Sequence, residues 1–249
     1  MTGGLSNAAP GAPLRVSITR KAFRGADGKL VEAIAHVAFE VPGGSFVTLI
    51  GPSGCGKTTT LRIVLGLETE FEGSVVRPDP DGRIAVVFQE PRLLPWRTVE
   101  ENVRLALPEG IGTEDLDELF DVLGLSEMRS RFPTELSLGL ARRAALARAF
   151  AIRPSLLLLD EPFVSLDEMT AARLRRLLTT VWSARRTTAL MVTHNLREAV
   201  QLSDRIVFLT ERPAKIRGIH EIKVAREARD AEWRETELRR LDREFPGVL

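Results

Sequence analysis

A glycine-rich stretch, Gly51-Pro52-Ser53-Gly54-Cys55-Gly56-Lys57-Thr58-Thr59, has the spacing G-x-x-x-x-G-K-[ST] of a phosphate-binding loop. The apolar run Phe46–Ile50 before it predicts a buried strand, and Thr59–Leu67 after it has apolar residues at helical spacing. A strand, a glycine loop and a helix in this order let backbone N–H groups bind an anion at the helix N-terminus. Lys57 would then reach the β- and γ-phosphates of a nucleotide, and the Thr58 hydroxyl would bind Mg²⁺. The sequence therefore predicts a nucleotide site, and a chance glycine turn is the weaker alternative.

A pair of acids follows a second apolar run, in Ser155-Leu156-Leu157-Leu158-Leu159-Asp160-Glu161-Pro162. Consecutive leucines predict a central strand that is buried on both faces. Unpaired buried carboxylates are costly, so acids at such a strand end usually face a cation or water. Because neighbouring side chains in a strand point in opposite directions, Asp160 can bind Mg²⁺ while Glu161 faces an attacking water.

Two further polar residues follow predicted buried strands. Gln89 comes after Ile84–Phe88, and His194 comes after Thr187–Val192. Ligands of open α/β sheets bind beyond the carboxyl ends of the strands, so both side chains could contact a phosphate, a metal or a water. A surface glutamine and a structural histidine are the alternatives that position alone leaves open.

Three residues have equally good structural explanations. Ser137 and Asp167 each precede a predicted helix, where an N-cap role accounts for either residue. The start of the Ser137 helix could instead be a second anion site. Phe23 lies just before the polar Arg24–Lys29 segment, where its ring could either stack on a purine or fill the core.

Composition restricts the class of protein. The 249 residues carry a net charge of +1, which gives no electrostatic reason to expect a nucleic-acid partner. Cys55 is the single cysteine, so no intrachain disulfide can form and a reducing compartment is expected. The three histidines are scattered, without metal-ligand spacing. No apolar run approaches the roughly 20 residues of a membrane helix, so a membrane connection is expected through a partner.

Apolar patterns also predict strands over Leu14–Thr19 and Arg205–Leu209, and helices over Val99–Leu107 and Leu196–Leu202.

The order of predicted elements suggests how the chain is divided. Residues 1–13 are expected to be a disordered lead-in, and strands and helices of residues 14–90 and 151–225 to form an ATP-binding α/β core. Residues 91–150 contain helical patterns and are expected to form an inserted helical subdomain, whose helix Thr113–Leu125 would be capped by Thr113. A charged terminal helix is expected within residues 226–249.

Together these motifs resemble the ATP-binding subunits of ABC transporters over roughly residues 14–225. Within that superfamily, Val87-Phe88-Gln89-Glu90-Pro91-Arg92-Leu93-Leu94-Pro95-Trp96 is similar to the nitrate/sulfonate/taurine-type import ATPases. The resemblance implies an α/β fold, a P-loop NTPase of ABC ATPase type with an antiparallel β subdomain and an inserted α-helical subdomain. It also implies ATP and Mg²⁺ as cofactors.

The resemblance further implies a role for each motif. Glu161 would be the general base, His194 the switch for the γ-phosphate, and Gln89 the γ-phosphate and Mg²⁺ sensor that links to a membrane subunit. The catalytic set would be Glu161, His194, Gln89 and Lys57, and the magnesium ligands Thr58, Gln89 and Asp160. Phe23 would stack on the adenine, where the family usually has tyrosine. Ser137 and Gly139 would contact the ATP bound by the partner subunit, and Asp167 would be the acid of the loop that crosses the dimer. The implied contacts of ATP are Phe23, Gly51, Pro52, Ser53, Gly54, Cys55, Gly56, Lys57, Thr58, Thr59, Ser137, Gly139 and Asp167.

The chain departs from the family in the signature segment, Leu136-Ser137-Leu138-Gly139-Leu140, where Leu-Ser-Gly-Gly-Gln is usual. The serine hydroxyl and the second glycine remain, so the anion-binding arrangement can survive if Leu138 turns its side chain away. The change therefore bears on the rate of hydrolysis more than on nucleotide binding.

The resemblance implies an ATPase that powers an importer of a small solute, an anion such as nitrate, a sulfonate or taurine. It would form a head-to-tail homodimer on the cytoplasmic face of the inner membrane, with two permease subunits and, indirectly, an extracytoplasmic solute-binding protein. The alternatives are a soluble ABC-type ATPase of translation or DNA repair, a non-catalytic nucleotide-gated module, and an exporter or lipid-trafficking ATPase.

Overall fold

The computed structural model describes residues 11–25, 28–79, 82–108 and 114–247. Most of the predicted lead-in, residues 1–10, and the predicted cap Thr113 lie outside these ranges. The described chain packs as two compact units. We call residues 11–80 and 188–249 the phosphate-loop unit, and residues 81–187 the helical unit. The predicted domain limits stay predictions, because these units are defined by packing alone.

The phosphate-loop unit is built on seven strands in the order β4-β1-β2-β9-β8-β3-β7. Its antiparallel part is β1, β2 and β4, and β9 runs parallel to β2 and antiparallel to β8. In the other part, β3 lies between the parallel neighbours β7 and β8. The strands are β1 (Leu14–Arg24), β2 (Leu30–Val41), β3 (Phe46–Ile50), β4 (Glu72–Val76), β7 (Thr188–Thr193), β8 (Arg205–Leu209) and β9 (Ala214–Glu221).

Three helices belong to the same unit: α1 (Lys57–Leu65), α6 (Leu196–Leu202) and α7 (Ala231–Glu244). Helix α7 closes an apolar cluster with α6 and the ends of the strands. At its centre the ring of Phe245 stacks on that of Phe208, with centroids 4.0 Å apart. Stacked aromatic pairs and their buried area hold terminal segments in place, so α7 is an integral part of this unit.

The helical unit contains two parallel strands, β5 (Ile84–Val87) and β6 (Leu156–Asp160). Its helices are α2 (Val99–Arg104), α3 (Glu114–Val122), α4 (Leu138–Ala151) and α5 (Glu168–Arg185). Side chains of β6 are buried from Leu156 to Leu159, as expected for a strand covered on both faces. No helix within the described ranges combines the length and apolar character needed to span a bilayer.

The fold class and most elements agree with the sequence predictions, and the differences lie at element ends. Strand β1 continues to Arg24, beyond the predicted Thr19, because its outer part still pairs with β2. Helix α1 is shifted from the predicted Thr59–Leu67 and ends at Leu65, because Gly66 at φ +84° forms a left-handed C-cap. Helix α2 ends at Arg104, before the predicted Leu107.

Candidate functional site

The phosphate loop connects the fully buried strand β3 to helix α1. Gly54 at φ +75° and Gly56 at φ +122° have left-handed backbones that a side chain would strain, and Gly51 has little room for a Cβ. Gly56 is the N-cap of α1 at φ +122°, and a Cβ there would lie 3.2 Å from the carbonyl of Ala33. A Cβ on Gly51 would lie 3.1 Å from both Cys55 Sγ and Leu209 Cβ. The glycines therefore let the loop backbone pack closely against its neighbours, as the phosphate-loop spacing predicts.

Lys57 is buried inside the loop, with 4% of its surface exposed. Its ammonium donates to the carbonyl oxygens of Gly51 at 2.7 Å and Pro52 at 2.9 Å. A buried charge needs such partners, and an incoming phosphate offers stronger ones. Cys55 is also buried, and this burial raises the pKa of its thiol, so the residue is a packing element and not a nucleophile.

The start of α1 is open to an anion. Among the described residues no side chain caps this helix, whose N-cap is Gly56. Thr58 and Ser53 are exposed, and the Thr60 hydroxyl is directed back to the Gly56 carbonyl at 3.0 Å. Backbone N–H groups at an uncapped helix start, next to a buried lysine, form the donor set that phosphates bind.

His194 leaves the sheet beside the phosphate loop. Strands β3 and β7 pair in parallel with Ile50 opposite Thr193, so Gly51 and His194 follow paired residues at the same sheet edge. His194 is exposed, and a cleft of about 530 Å³ opens beside it between the start of α6 and α7. Sequence and fold thus bring this histidine and the phosphate loop together within one unit.

A buried carboxylate fixes the turn that carries His194, and the sequence analysis missed it. Glu198 accepts a hydrogen bond from the Thr193 hydroxyl at 2.6 Å and one from the Asn195 side chain at 3.3 Å. Asn195 in turn caps α6 by accepting from the N–H of Arg197 at 2.9 Å. The pattern Asn-x-x-Glu at a helix start was the available signal.

Phe23 lies near the end of β1, opposite Val31 of β2, and is 40% exposed. The ammonium of Lys21 sits 4.5 Å from its ring centroid and also pairs with Glu68 at 2.8 Å. One ring face is therefore in contact with a cation. Stacking of adenine on Phe23 stays a prediction.

Three predicted site residues meet at one edge of the helical unit. Strands β5 and β6 run parallel with Val87 opposite Leu159, so Gln89, Asp160 and Glu161 all emerge at the carboxyl ends of adjacent strands. Gln89 is exposed, and both acids are partly buried. An amide and two carboxylates at one strand edge can bind a cation and orient a water.

The backbone at Glu161 is held by a buried arginine of α4. Glu161 has φ +43°, a left-handed conformation that non-glycine residues adopt at a cost. Arg142 donates to the carbonyls of Pro162 at 2.6 Å and Val164 at 2.7 Å, with a longer contact to that of Glu161 at 3.4 Å. Arg142 positions the turn that carries Glu161, and no motif in the sequence singled it out.

The signature segment forms the start of α4. Ser137 is its N-cap, and the hydroxyl accepts from the N–H of Leu140 at 3.3 Å, so the capping interpretation is confirmed. A Cβ on Gly139 would lie 2.7 Å from Thr170 Cγ2, which explains a glycine there by the close approach of α5. The side chain of Leu138 is 42% exposed, so it is not part of the packed core.

Asp167 caps the next helix, α5, as predicted. Its carboxylate accepts from the N–H of Thr170 at 3.0 Å. Hydrogen bonds from Thr170, first from the side chain and then from the backbone, hold the pKa of Asp167 below its ordinary value. The carboxylate is therefore charged at neutral pH, while its predicted contact with a partner subunit stays a prediction.

The donor sets fit ATP and Mg²⁺. Among the described residues no cluster of three or more His, Cys, Asp or Glu side chains could hold a metal alone. Mg²⁺ in nucleotide sites is bound by one or two carboxylates and the substrate phosphates, so such a cluster is not required. Thr58 in the phosphate-loop unit, and Asp160 and Gln89 in the helical unit, each offer the hard oxygen that Mg²⁺ prefers, and the phosphate loop is a suitable cradle for phosphates.

Comparison with known proteins agrees with this chemistry. The ABC transporter family matches residues 34–164. The chain is 45% identical over 199 residues to an aliphatic sulfonates import ATP-binding protein (SsuB 2) of Burkholderia lata, covering 78% of this chain and 73% of that protein. It is 42% identical over 210 residues to the protein of the same name from Pseudomonas syringae pv. tomato, covering 84% and 86%.

Solved structures give the same result at the level of the fold. A dimeric bacterial ABC transporter cassette matches with a TM-score of 0.73 and 26% identity, over 85% of this chain and 100% of that chain. A post-hydrolysis state of an ATP-binding cassette, dimeric and bound to ADP and phosphate, matches with a TM-score of 0.71 and 25% identity, over the same shares.

Proposed function

Because the chain belongs to the ABC transporter family and is an ATPase, we propose that it powers a membrane importer of a small anionic solute from the cytoplasmic face of the membrane. The observation that carries this proposal is that the nucleotide-handling residues of the family's strand-end motifs lie at two sheet edges. The phosphate loop and His194 share one edge of the phosphate-loop unit. Gln89, Asp160 and Glu161 share one edge of the helical unit.

In this proposal each residue has a task that its surroundings support. Lys57 exchanges its two loop carbonyls for the β- and γ-phosphates of ATP, and Thr58, Asp160 and Gln89 supply oxygens for Mg²⁺. Bound Mg²⁺ supplies charge neutralisation on the phosphates. Glu161, held by the Arg142 turn, orients the attacking water and accepts its proton. His194 donates to the γ-phosphate and so reports its loss after hydrolysis.

A second copy of the chain completes the site in this proposal. Two subunits would dimerise head-to-tail, with Ser137 and Gly139 of one contacting the γ-phosphate of the ATP bound by the other. That one of the solved relatives is a dimeric cassette supports the dimer. Closure of the dimer on ATP and its reopening after hydrolysis would then drive two permease subunits.

We propose that the permease contacts the segment after β5, where an aromatic side chain is held out to solvent. Trp96 is 70% exposed and is flanked by exposed Arg92 and Arg97. Exposed tryptophan and arginine side chains are typical of the centres of protein interfaces. A partner surface with an apolar pocket and an acidic rim would fit them.

The loop that carries Trp96 is fixed before any partner binds. Asn102 is 1% exposed and makes four hydrogen bonds to the backbone of this loop. Its side chain accepts from the N–H of Leu94 at 2.7 Å and donates to carbonyls of Leu94, Arg97 and Thr98 at 2.9–3.1 Å. A preorganised loop loses little conformational entropy on binding, which favours a docking role over a mobile surface loop.

The test is ATP hydrolysis by the purified chain, alone and with the permease reconstituted in membranes. We expect the permease to raise turnover in the wild type, and Trp96→Ala to lose that stimulation while it keeps the turnover of the isolated subunit. Leu67→Ala, at an exposed leucine of the phosphate-loop unit, is the control. Equal stimulation of Trp96→Ala and the wild type would contradict docking at this loop, and no stimulation in the wild type would contradict the importer proposal.

The transported solute is proposed from the relatives' names, which specify aliphatic sulfonates. A sulfonate is an anion like the nitrate and taurine-type solutes that the sequence motif suggests. Uptake into vesicles that contain the complete transporter and its solute-binding protein would test the assignment. Labelled alkanesulfonate should enter with ATP, and selective uptake of nitrate instead would replace sulfonate as the solute.

A further inference from the structure

The connection between β8 and β9 places an arginine against the phosphate loop. The guanidinium of Arg212 donates to the carbonyl oxygen of Gly54 from Nη2 at 2.9 Å and from Nε at 3.2 Å. None of the nucleotide-binding motifs includes Arg212. Both partners belong to the phosphate-loop unit, so this contact is part of one compact body.

The contact acts on the least constrained part of the loop. Gly54 and Gly56 have φ values of +75° and +122°, and without a Cβ their backbones can rotate more easily than those of other residues. The peptide bond between Gly54 and Cys55 is planar, so its C=O and N–H turn as one unit. Arg212 holds the carbonyl end, and the Cys55 N–H donates to the Pro52 carbonyl at 3.2 Å. The two bonds together fix the direction of this peptide.

That direction matters for phosphate binding. A phosphate loop binds its ligand by N–H groups that converge on the anion, and a carbonyl rotated into the same space would repel it. Arg212 keeps the Gly54 carbonyl turned toward a cation outside the loop. Arg212 thereby disfavours loop conformations in which this carbonyl points at the bound phosphates, so less conformational freedom is lost when a nucleotide binds.

Arg212 is itself presented by a fixed turn. The N–H of Thr210 donates to the Lys215 carbonyl at 2.9 Å, and the N–H of Lys215 donates to the Thr210 hydroxyl at 3.0 Å. These bonds close the connection at its base, where β8 ends and β9 begins. Strand β8 lies directly beside β3, which leads into the phosphate loop. The restraint thus runs from the sheet to the loop through Arg212.

We propose that Arg212 is a positioning residue for nucleotide binding, which holds the Gly54 carbonyl of the phosphate loop turned away from the space where the phosphates bind. The inference rests on the ATPase activity of the family and not on the identity of the transporter. It assigns no direct contact between Arg212 and the nucleotide.

The test compares Arg212→Ala and Arg212→Lys with the wild type, using titration with ATP and steady-state hydrolysis. We expect Arg212→Ala to bind ATP about three- to tenfold more weakly, the size of effect that an ordinary net hydrogen bond at an exposed site supports. Its KM should rise by a larger factor than its kcat falls. Arg212→Lys should recover part of the affinity, because an ammonium can donate one bond to the same carbonyl.

The matched control is Arg217→Ala. Arg217 is also exposed and donates to a backbone carbonyl of the same unit, that of Pro246 at 2.7 Å, after the end of α7. We expect this variant to keep wild-type ATP affinity. An equal loss of affinity in the control would overturn the proposal, since general weakening of the unit would then explain both variants.

The salt dependence of ATP affinity distinguishes a positioning role of Arg212 from simple electrostatic attraction of the triphosphate. If Arg212 acted by attracting the triphosphate, the difference between Arg212→Ala and wild type would disappear at about 0.5 M salt, where exposed charges are screened. We expect the difference to persist, because a hydrogen bond within the loop is retained. Disappearance of the difference, or an Arg212→Ala affinity equal to that of the wild type in low salt, would overturn the proposal.

Discussion

Helices α1 and α4 each begin in a segment where the sequence analysis considers an anion site, but their first turns differ. Helix α1 starts at Gly56 without a capping side chain, and the buried Lys57 stands in its first turn. Helix α4 starts at Ser137, whose hydroxyl already accepts a hydrogen bond from Leu140. The start of α1 is therefore open to a ligand and carries a positive charge, whereas the start of α4 already has a side-chain cap.

This difference separates two parts of the proposed activity. The phosphate loop has its charge, its N–H donors and its glycines within one compact unit. At the start of α4 the Ser137 oxygen already accepts from Leu140, so its hydroxyl hydrogen and the other N–H groups of the first turn are what a ligand can bind. Binding should therefore depend on the phosphate-loop unit, and turnover on the helical unit.

The largest expected effect comes from Glu161→Gln. Loss of a general base lowers turnover by about 10²- to 10⁴-fold, and ATP binding should remain near that of the wild type. Lys57→Ala is the counterpart in the other unit and should lose ATP affinity itself. Hydrolysis assays and nucleotide titration of both variants test the separation, and wild-type turnover in Glu161→Gln would contradict the assignment of the base.

An intermediate effect is expected for Arg142→Met, which removes the bonds that hold the turn after Glu161. Buried carbonyls left without donors should lower the free energy of unfolding by about 2–4 kcal/mol. Turnover should fall by about tenfold, since misplacement of a catalytic group is costly, while ATP affinity changes little. Urea unfolding and kcat measure the two effects. Arg176→Met, at an exposed arginine of α5, is the control, and an equal loss there would refute the positioning role.

The smallest effect is expected for Leu138→Gly, which restores the residue usual in the family. Leu138 is 42% exposed, so stability should fall by only about 1 kcal/mol, the propensity cost of glycine in a helix. Removal of an apolar side chain beside the Ser137 cap should raise turnover by a few fold and leave ATP affinity of the single subunit unchanged. Unchanged turnover would mean that the leucine does not disturb the signature contact.

Local patterns were sufficient for most elements and for the motif residues. Strand β3, helix α6 and strand β8 have the predicted bounds, because apolar spacing and capping residues lie within a few positions of each other. Ser137 and Asp167 cap their helices as predicted. Ends without a strong local signal were less accurate, as for β1, whose extension depends on pairing with β2.

The supporting residues of the site could not be read from the sequence. Arg142 and Asn102 act through backbone groups 4 to 22 positions away, and Arg212 reaches a carbonyl 158 positions away. Such contacts depend on which backbone groups the folded chain brings near, and an isolated arginine or asparagine has no spacing rule to reveal it. Glu198 is the exception, since the capping pattern with Asn195 is local.

The sequence by itself determined the chemistry, because the phosphate loop, the paired acids and the caps are short segments whose residue types act over adjacent positions. The tertiary structure alone decided which of these segments share a sheet edge and which buried side chains hold them. Parallel pairing puts His194 beside the phosphate loop, although 137 positions separate His194 from Lys57. Burial leaves polar groups such as Arg142 and Asn102 no water to bind, so they bond to the backbone that the fold supplies.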